Sequence, residues 1–292
     1  MITNPGIYTR GGVITQSDAD YCTVRIRMPA GCITAEQMRG IARIAEEHGC
    51  GDVHLTTRQT MEIPHVDPVS LKALEAALEK NGTPVGAERE EVVNIVACPG
   101  TDRCKFANIE TIGLARELDR RLFGKELPVK VRIGISACPN ACSGELLNEI
   151  GITGIRKPIR EPGICNGCGT CVSYCKEDAI LIKDGISELD EHKCISCGVC
   201  VLSCPFNLLK ASDPYYRITV GGRRGRHPHV GQELVTVRGE EAVIKVIERI
   251  VNQIYRRGWS GRLLADQLDD IGFDELGDKL ISELLEENVV VS

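Results

Sequence analysis

Two stretches, CNGCGTCVSYC at 165–175 and CISCGVCVLSCP at 194–205, decide how the rest of this chain is read. Each spaces its cysteines C-x2-C-x2-C-x3-C, and the second run begins 29 residues after the first, so one structural unit is repeated. Thiols set this closely converge on one inorganic centre without a long loop to order, which is how iron–sulfur clusters are held. In the two-cluster arrangement that this spacing implies, the fourth cysteine of each run serves the other cluster. Cys165, Cys168, Cys171 and Cys204 are therefore expected on one 4Fe-4S cluster, and Cys175, Cys194, Cys197 and Cys200 on the other. A zinc site needs four thiolates per ion in CxxC pairs and leaves the third and fourth cysteines of each run unexplained. Lys176 stands where the second run has Pro205, a departure expected to alter that turn.

Pro158 and Pro162 on one side and Pro205 and Pro214 on the other bracket the repeat, as suits an insertion whose ends lie close together. Residues 161–207 are expected to be an inserted bacterial-type ferredoxin domain. Before it, Tyr21 to Met28 alternates as a strand, and Thr34 with Gln37 makes a capping box for a helix presenting Met38, Ile41 and Ile44. Val53 to Val66 reads as a second strand, and Asp67 caps a helix with Pro68 at its first position that runs to Lys80 and stops at Asn81-Gly82. This α+β half-domain fills 1–85. Strands at 92–96 and 129–135 and a helix from about Asn108 to Leu122 belong to a second, α/β unit. That unit resumes after the insertion with Tyr216 to Val220 and an amphipathic helix from Glu240 to Arg256, giving 86–160 and 208–292. Two short helices are expected around Gly272. The fold class is α+β.

Composition bounds the function. With 35 Lys+Arg against 41 Asp+Glu among 292 residues, the net charge of -6 gives no global reason to bind nucleic acid or an anionic membrane. No run of about 18 apolar residues and no basic-then-apolar leader is present, so a cytoplasmic location and no membrane association are expected. Fifteen cysteines could suggest disulfides, but disulfide-dense chains are usually short and secreted, and twelve of these thiols fall in tight sets. Cys22, Cys32 and Cys50 fit no spacing and are expected to be buried free thiols. His54 and His65 have no second ligand at metal spacing and are expected to pack or hydrogen-bond.

Four further cysteines form a different set: Cys98-x5-Cys104 in ACPGTDRC and Cys138-x3-Cys142 in ACPNAC. With them the chain resembles the sirohaem-dependent sulfite and nitrite reductases, closest to anaerobic or dissimilatory-type sulfite reductase subunits. The likeness extends over nearly the whole length, through VRIRMPAG (24–31), LTTRQTMEIPHV (55–66), LPVKVRIGISACPNAC (127–142) and YYRITVGGRRGRHP (215–228). It implies a ferredoxin-like half-domain followed by a sirohaem-binding domain. It further implies that Cys98, Cys104, Cys138 and Cys142 hold a 4Fe-4S cluster and that Cys142 also bridges to the sirohaem iron. Sirohaem and three 4Fe-4S clusters are the expected cofactors. At positions matching the family's anion-side basics stand Arg27, Arg58, Lys130 and Arg132, the last replacing the usual lysine. Such cations would bind an oxyanion and relay protons as its bonds to oxygen break. Arg223, Arg224 and Arg226, with His227, follow a Gly-Gly turn and are candidates for the carboxylates of sirohaem.

The implied activity is sulfite reductase: six-electron reduction of sulfite to sulfide, fed by the two ferredoxin-type clusters. Nitrite reduction to ammonia and a non-catalytic electron-transfer subunit are the alternatives. Four cations favour sulfite slightly, because its dianion carries more charge. Gly221-Gly222-x2-Gly225 lacks the G-x-G-x-x-G order of a dinucleotide site, so an external electron-donor protein or subunit is expected. Longer relatives hold two copies of the half-domain and sirohaem-domain unit, and this chain one. A homodimer, or a pair with a related partner subunit, is expected to rebuild the twofold.

Overall fold

The structure, a computed structural model, describes residues 11–18, 20–160 and 165–286. Pro162 and the start of the expected insertion lie outside these residues.

The N-terminal unit is a four-stranded antiparallel sheet of β1 (Val13–Thr15), β2 (Cys22–Arg25), β3 (His54–Leu55) and β4 (Met61–Val66), in the order β1-β2-β4-β3. Two helices, α1 (Ala35–His48) and α2 (Leu71–Lys80), share its core: Ile41, Ile44, Leu74 and Leu78 are buried with Val24, Ile26 and Ile63. Thr34 Oγ1 accepts from Gln37 N at 3.1 Å and Gln37 Oε1 accepts from Thr34 N at 2.9 Å, the reciprocal cap expected from the sequence. Met38, expected on the buried stripe, is exposed. Burial along α1 begins only at Gly40, where Asn81 packs, so the first turn overhangs the core. The expected strand over 53–66 is a hairpin, broken where Thr56 N donates to Thr60 O at 2.9 Å and Gln59 turns left-handed at φ 56°.

The larger unit is built on a mixed five-stranded sheet of β5 (Val96–Ala97), β6 (Ile133–Ser136), β7 (Ile150–Ile155), β12 (Tyr215–Val220) and β13 (Gln232–Val237). Its order is β13-β12-β7-β6-β5; the β5–β6 and β6–β7 pairs are parallel and the β7–β12 and β12–β13 pairs antiparallel. Helices α3 (Ile112–Leu122), α6 (Glu240–Arg257) and α8 (Phe273–Glu286) supply Leu118, Ile247, Ile250 and Leu280 to one continuous core with Ile133, Ile152 and Ile218. The expected strand at 92–96 shrinks to β5 and a single bridge, Val92 to Val131. The intervening Asn94 turns its side chain to the first unit, accepting from Met28 N at 3.1 Å and donating to Arg58 O at 2.9 Å. Helix α3 starts at Ile112 and not near Asn108, because Glu110 caps it at Ile112 N and Gly113 N, both at 2.8 Å. Gly272, at φ 73°, separates the short α7 (Leu268–Ile271) from α8; the latter runs 14 residues and is not the short helix expected.

Between β7 and β12 the chain leaves the sheet. β8 (Pro158–Arg160) pairs antiparallel with β11 (Leu209–Ala211), continuing the β7–β12 ladder into a narrow stem. Beyond it lie α4 (Thr170–Tyr174), the hairpin β9 (Ile180–Lys183) with β10 (Ile186–Leu189), and α5 (Val199–Ser203). The sequence repeat is a backbone repeat. Gly169 and Gly198, before the two helices, both sit at φ 74° and ψ 0°, and Asp178 and Asn207 after them at φ 49° and 52°. Lys176 therefore leaves the turn as Pro205 shapes it: Cys175 and Cys204 have φ -78° and -72°. Among the described residues, no helix is long and apolar enough to cross a membrane.

Candidate active site

In the inserted module the thiols fall into two crossed groups. One cavity is lined by Cys165, Cys168, Cys171 and Cys204 together with Ile182 and Phe206; a second is lined by Cys175, Cys194, Cys197 and Cys200 together with Pro158. Burial, and then the neighbouring Cys194 and Cys175, push the Cys197 thiol up. Burial followed by Cys197 and Cys194 pushes Cys200 up to about 12. Thiols so crowded ionise only when a cationic centre balances them, so the residues fit a bound iron–sulfur group. Among the described residues no three His, Cys, Asp or Glu side chains are placed to hold a single metal ion.

The third group forms where two parallel strands end. Cys98 follows β5 and Cys138 follows β6. Ala137 N donates to Cys98 Sγ at 3.1 Å, while burial, Cys104, Cys142 and Cys98 raise the Cys138 thiol, so the four lie together. Ala141 takes a left-handed φ of 53°, rare for a residue with a Cβ and costing roughly 1 kcal/mol, in the turn that leaves Cys142 exposed. The turn is anchored by the fully buried Glu145, which accepts from Thr153 Oγ1 at 2.9 Å.

Of the basic loop, Arg224 lies beside Cys142: its Nη2 donates to Ser143 O at 3.0 Å and Gly144 O at 3.2 Å, and its Nε is buried with no partner among the described residues. An orphaned guanidinium donor on the turn that follows Cys142 fits a ligand carboxylate. Arg223 is paired with Asp266 at 3.2 Å, and Arg226 and His227 are exposed.

The cations are arranged differently from expectation. Arg58 and Lys130 both bond Glu88, the latter at 2.7 Å, and Arg132 Nε bonds Glu149 at 2.8 Å. Arg27 is not brought to them; its Nε bonds Asp119 at 2.9 Å and its guanidinium lies 4.1 Å over the Phe123 ring. Arg25, not singled out by its sequence context, joins the group and bonds Glu62 and Glu88. Burial and then Arg25 and Arg132 lower Arg58 to about 10. Burial and then Arg58, Arg25 and Arg132 lower Lys130 to about 8. Arg25 ends β2 and Arg27 lies two residues beyond it, and carboxylate partners distant in sequence, Glu62 and Asp119, draw the two apart. Glu62, Glu88 and Glu149 offset most of the four cations, so a charge preference for sulfite loses its basis. Lys130 and Arg132 precede β6 and Cys138 follows it, and the four strand residues between them alone span about 13 Å.

The remaining thiols and histidines carry no further centre. Cys22 is buried, its thiol pushed up to about 11 by burial and Asp67; Cys32 is half-buried and Cys50 exposed, against the expectation of burial, on the loop between α1 and β3. His54 bonds Glu62 at 3.2 Å and His65 makes an edge contact with Tyr21.

Comparison with known proteins matches residues 14–81 to the nitrite/sulfite reductase ferredoxin-like half domain and residues 88–288 to the nitrite and sulphite reductase 4Fe-4S domain. An uncharacterized protein of Methanocaldococcus jannaschii is 32% identical over 94% of this chain and 95% of its own. One of the subunits of the anaerobic sulfite reductase of Salmonella typhimurium is 31% identical over 77% of this chain and 72% of its own. A crystal structure of dissimilatory sulfite reductase I shares the fold, with a TM-score of 0.72 at 20% identity over 89% of this chain and 69% of that one. The chain belongs to the nitrite and sulfite reductase family, oxidoreductases that work with sirohaem and a 4Fe-4S centre.

Proposed function

We propose that this chain is the catalytic subunit of a sulfite reductase. What carries the reading is the grouping of twelve cysteines into three sets of four, one of them beside the orphaned Arg224 donor, in a chain similar to an anaerobic sulfite reductase subunit. Cys98, Cys104, Cys138 and Cys142 would hold the cluster coupled to sirohaem, with Cys142 shared between them, and Arg224 would meet a carboxylate of the macrocycle. Arg223 and Arg226 are the further carboxylate candidates. When bound, sirohaem supplies an iron at which the oxyanion is held and electrons reach it one at a time. Counted from the dianion, sulfite takes up six electrons and eight protons and leaves as hydrogen sulfide and three waters.

The chain's own contribution is charge and protons. Arg58, Lys130 and Arg132, with Arg25 in the place expected of Arg27, would face the oxyanion. Lys130, lowered to about 8, gives up a proton near neutral pH more readily than an ordinary lysine. Electrons would come from an external donor protein through the two centres of the insertion. Because the basics and the Cys98 group sit at opposite ends of β6, the reading includes a twofold pair in which one chain's basics serve the other's sirohaem, in a homodimer or with a related partner subunit.

Nitrite is the second reading, supported by the family description, which names both anions. Steady-state assays with reduced methyl viologen decide: sulfite turnover well above nitrite turnover is expected, and the reverse ratio would replace the sulfite assignment.

A further inference from the structure

Two cysteine groups in one insertion are not equivalent toward the rest of the molecule. The loop that carries Cys194 and Cys197 lies directly on the larger unit. Arg156 N donates to Ser196 O at 2.7 Å, just beyond the end of β7. Asn108, four residues after Cys104, is buried and joins three segments. Its N donates to Ala137 O at 2.8 Å, and its side chain donates to Gly154 O at 3.3 Å and to Cys197 O at 3.4 Å. The contact is close enough that a Cβ on Gly198 would stand 3.2 Å from Asn108 Oδ1 and 3.7 Å from Arg156 Cβ. Arg156 Nε is buried there with no partner among the described residues. The other group, Cys165, Cys168, Cys171 and Cys204, lines a cavity made of insertion residues with Leu208 and Leu209 of the stem and none from the five-stranded sheet or its helices, and there Cys168 and Phe206 are exposed.

We infer that Cys175, Cys194, Cys197 and Cys200 hold the inward centre, and that Asn108 and Arg156 position it against the Cys98/Cys104/Cys138/Cys142 group. Cys165, Cys168, Cys171 and Cys204 hold the outward centre, where electrons arrive. The inference rests on the iron–sulfur part of the proposed function and not on its substrate. A reduced one-electron carrier protein is oxidised by one electron, the group held by Cys165 and its partners is reduced by one, and that electron passes inward with no bond or proton exchanged. A cation beside an iron–sulfur centre stabilises its more negative, reduced form, so Arg156 raises the inward potential and favours inward flow.

The test is an EPR-monitored redox titration of the holoenzyme. Of the two ferredoxin-type signals, one should show faster relaxation or spin coupling through proximity to the sirohaem-linked centre. Arg156→Gln, which keeps every cysteine, should move the midpoint of that coupled signal to lower potential and leave the other unmoved. Cys168→Ser should alter the uncoupled signal. A shift of the uncoupled signal in Arg156→Gln, no shift of either, or an altered coupled signal in Cys168→Ser would overturn the order. If the Cys168 variant fails to assemble, Arg156→Gln alone decides. Neither readout uses turnover, so a protein with the expected coupling that reduces no sulfite would sink the substrate assignment and leave the cluster order standing.

Discussion

At the scale of single residues, the charge of a buried group is set by the partner that faces it, however far away that partner lies along the chain. The cysteine sets could be read because ligands a few residues apart need no knowledge of the fold. Arg27 could not be placed, because Asp119, which binds it, lies 92 residues away. Asp119 is buried and its carboxyl is raised by that burial against the pull of Arg27. Arg27→Met is therefore expected to lose about 2 kcal/mol of stability in chemical denaturation by leaving a buried carboxyl without its partner. Unchanged stability with abolished anion binding would return Arg27 to the anion site. Lys130 makes the complementary prediction. Its ammonium, lowered to about 8, is charged below that pH and neutral above it. Binding of nitrite, a monoanion throughout, followed in the sirohaem absorption should weaken as pH rises from 7 to 9, by up to roughly tenfold for one lost charged hydrogen bond. Lys130→Met should bind weakly and flatten that profile; a profile as steep as the wild type's would remove Lys130 from the site.

Among elements, caps and amphipathic helices were legible, whereas strands interrupted by side-chain hydrogen bonds were not. The Thr34–Gln37 box follows from four adjacent residues, and Thr34→Ala should cost about 1 kcal/mol in thermal or urea unfolding. The break at Thr56–Thr60 and the diversion of Asn94 depend on contacts that periodicity does not encode. The stem of β8 and β11 carries a stronger prediction. Arg160 pairs with Leu209, so replacing 161–208 by Asn-Gly should close the stem as a tight hairpin. The shortened chain is expected to keep the sirohaem absorption and lose about eight iron atoms, the content of two 4Fe-4S clusters. Loss of the sirohaem spectrum in a folded product would show that the insertion is part of the macrocycle's site.

For the whole molecule, three cysteine groups and one sirohaem site predict about thirteen iron atoms per chain in anaerobically purified protein. A value near twelve would mean that the sirohaem alone is missing, and one near eight that the Cys98-group cluster is missing with it. The shared-site arrangement is tested by mixing an Arg58→Ala chain with a Cys142→Ser chain. If one chain's basics serve the other's sirohaem, the mixed dimer gathers both lesions in one site and activity should partly return. No recovery, with mixed dimers demonstrated and both variants folded, would place the complete site within one chain. The stem has one more consequence, for the order in which the protein is made. β7 leaves the ribosome well before its sheet neighbour β12, and 59 residues separate Ile155 from Tyr215. If the intervening module folds around two iron–sulfur centres, as proposed, those strand ends would then be held side by side. Without iron the same segment would be a slack loop, and closing it instead of a two-residue turn amounts to about five doublings of length, roughly 3 kcal/mol. Metal supply during synthesis is thus expected to govern how readily the central sheet is completed, so newly made chains lacking iron should be the ones that proteases clear.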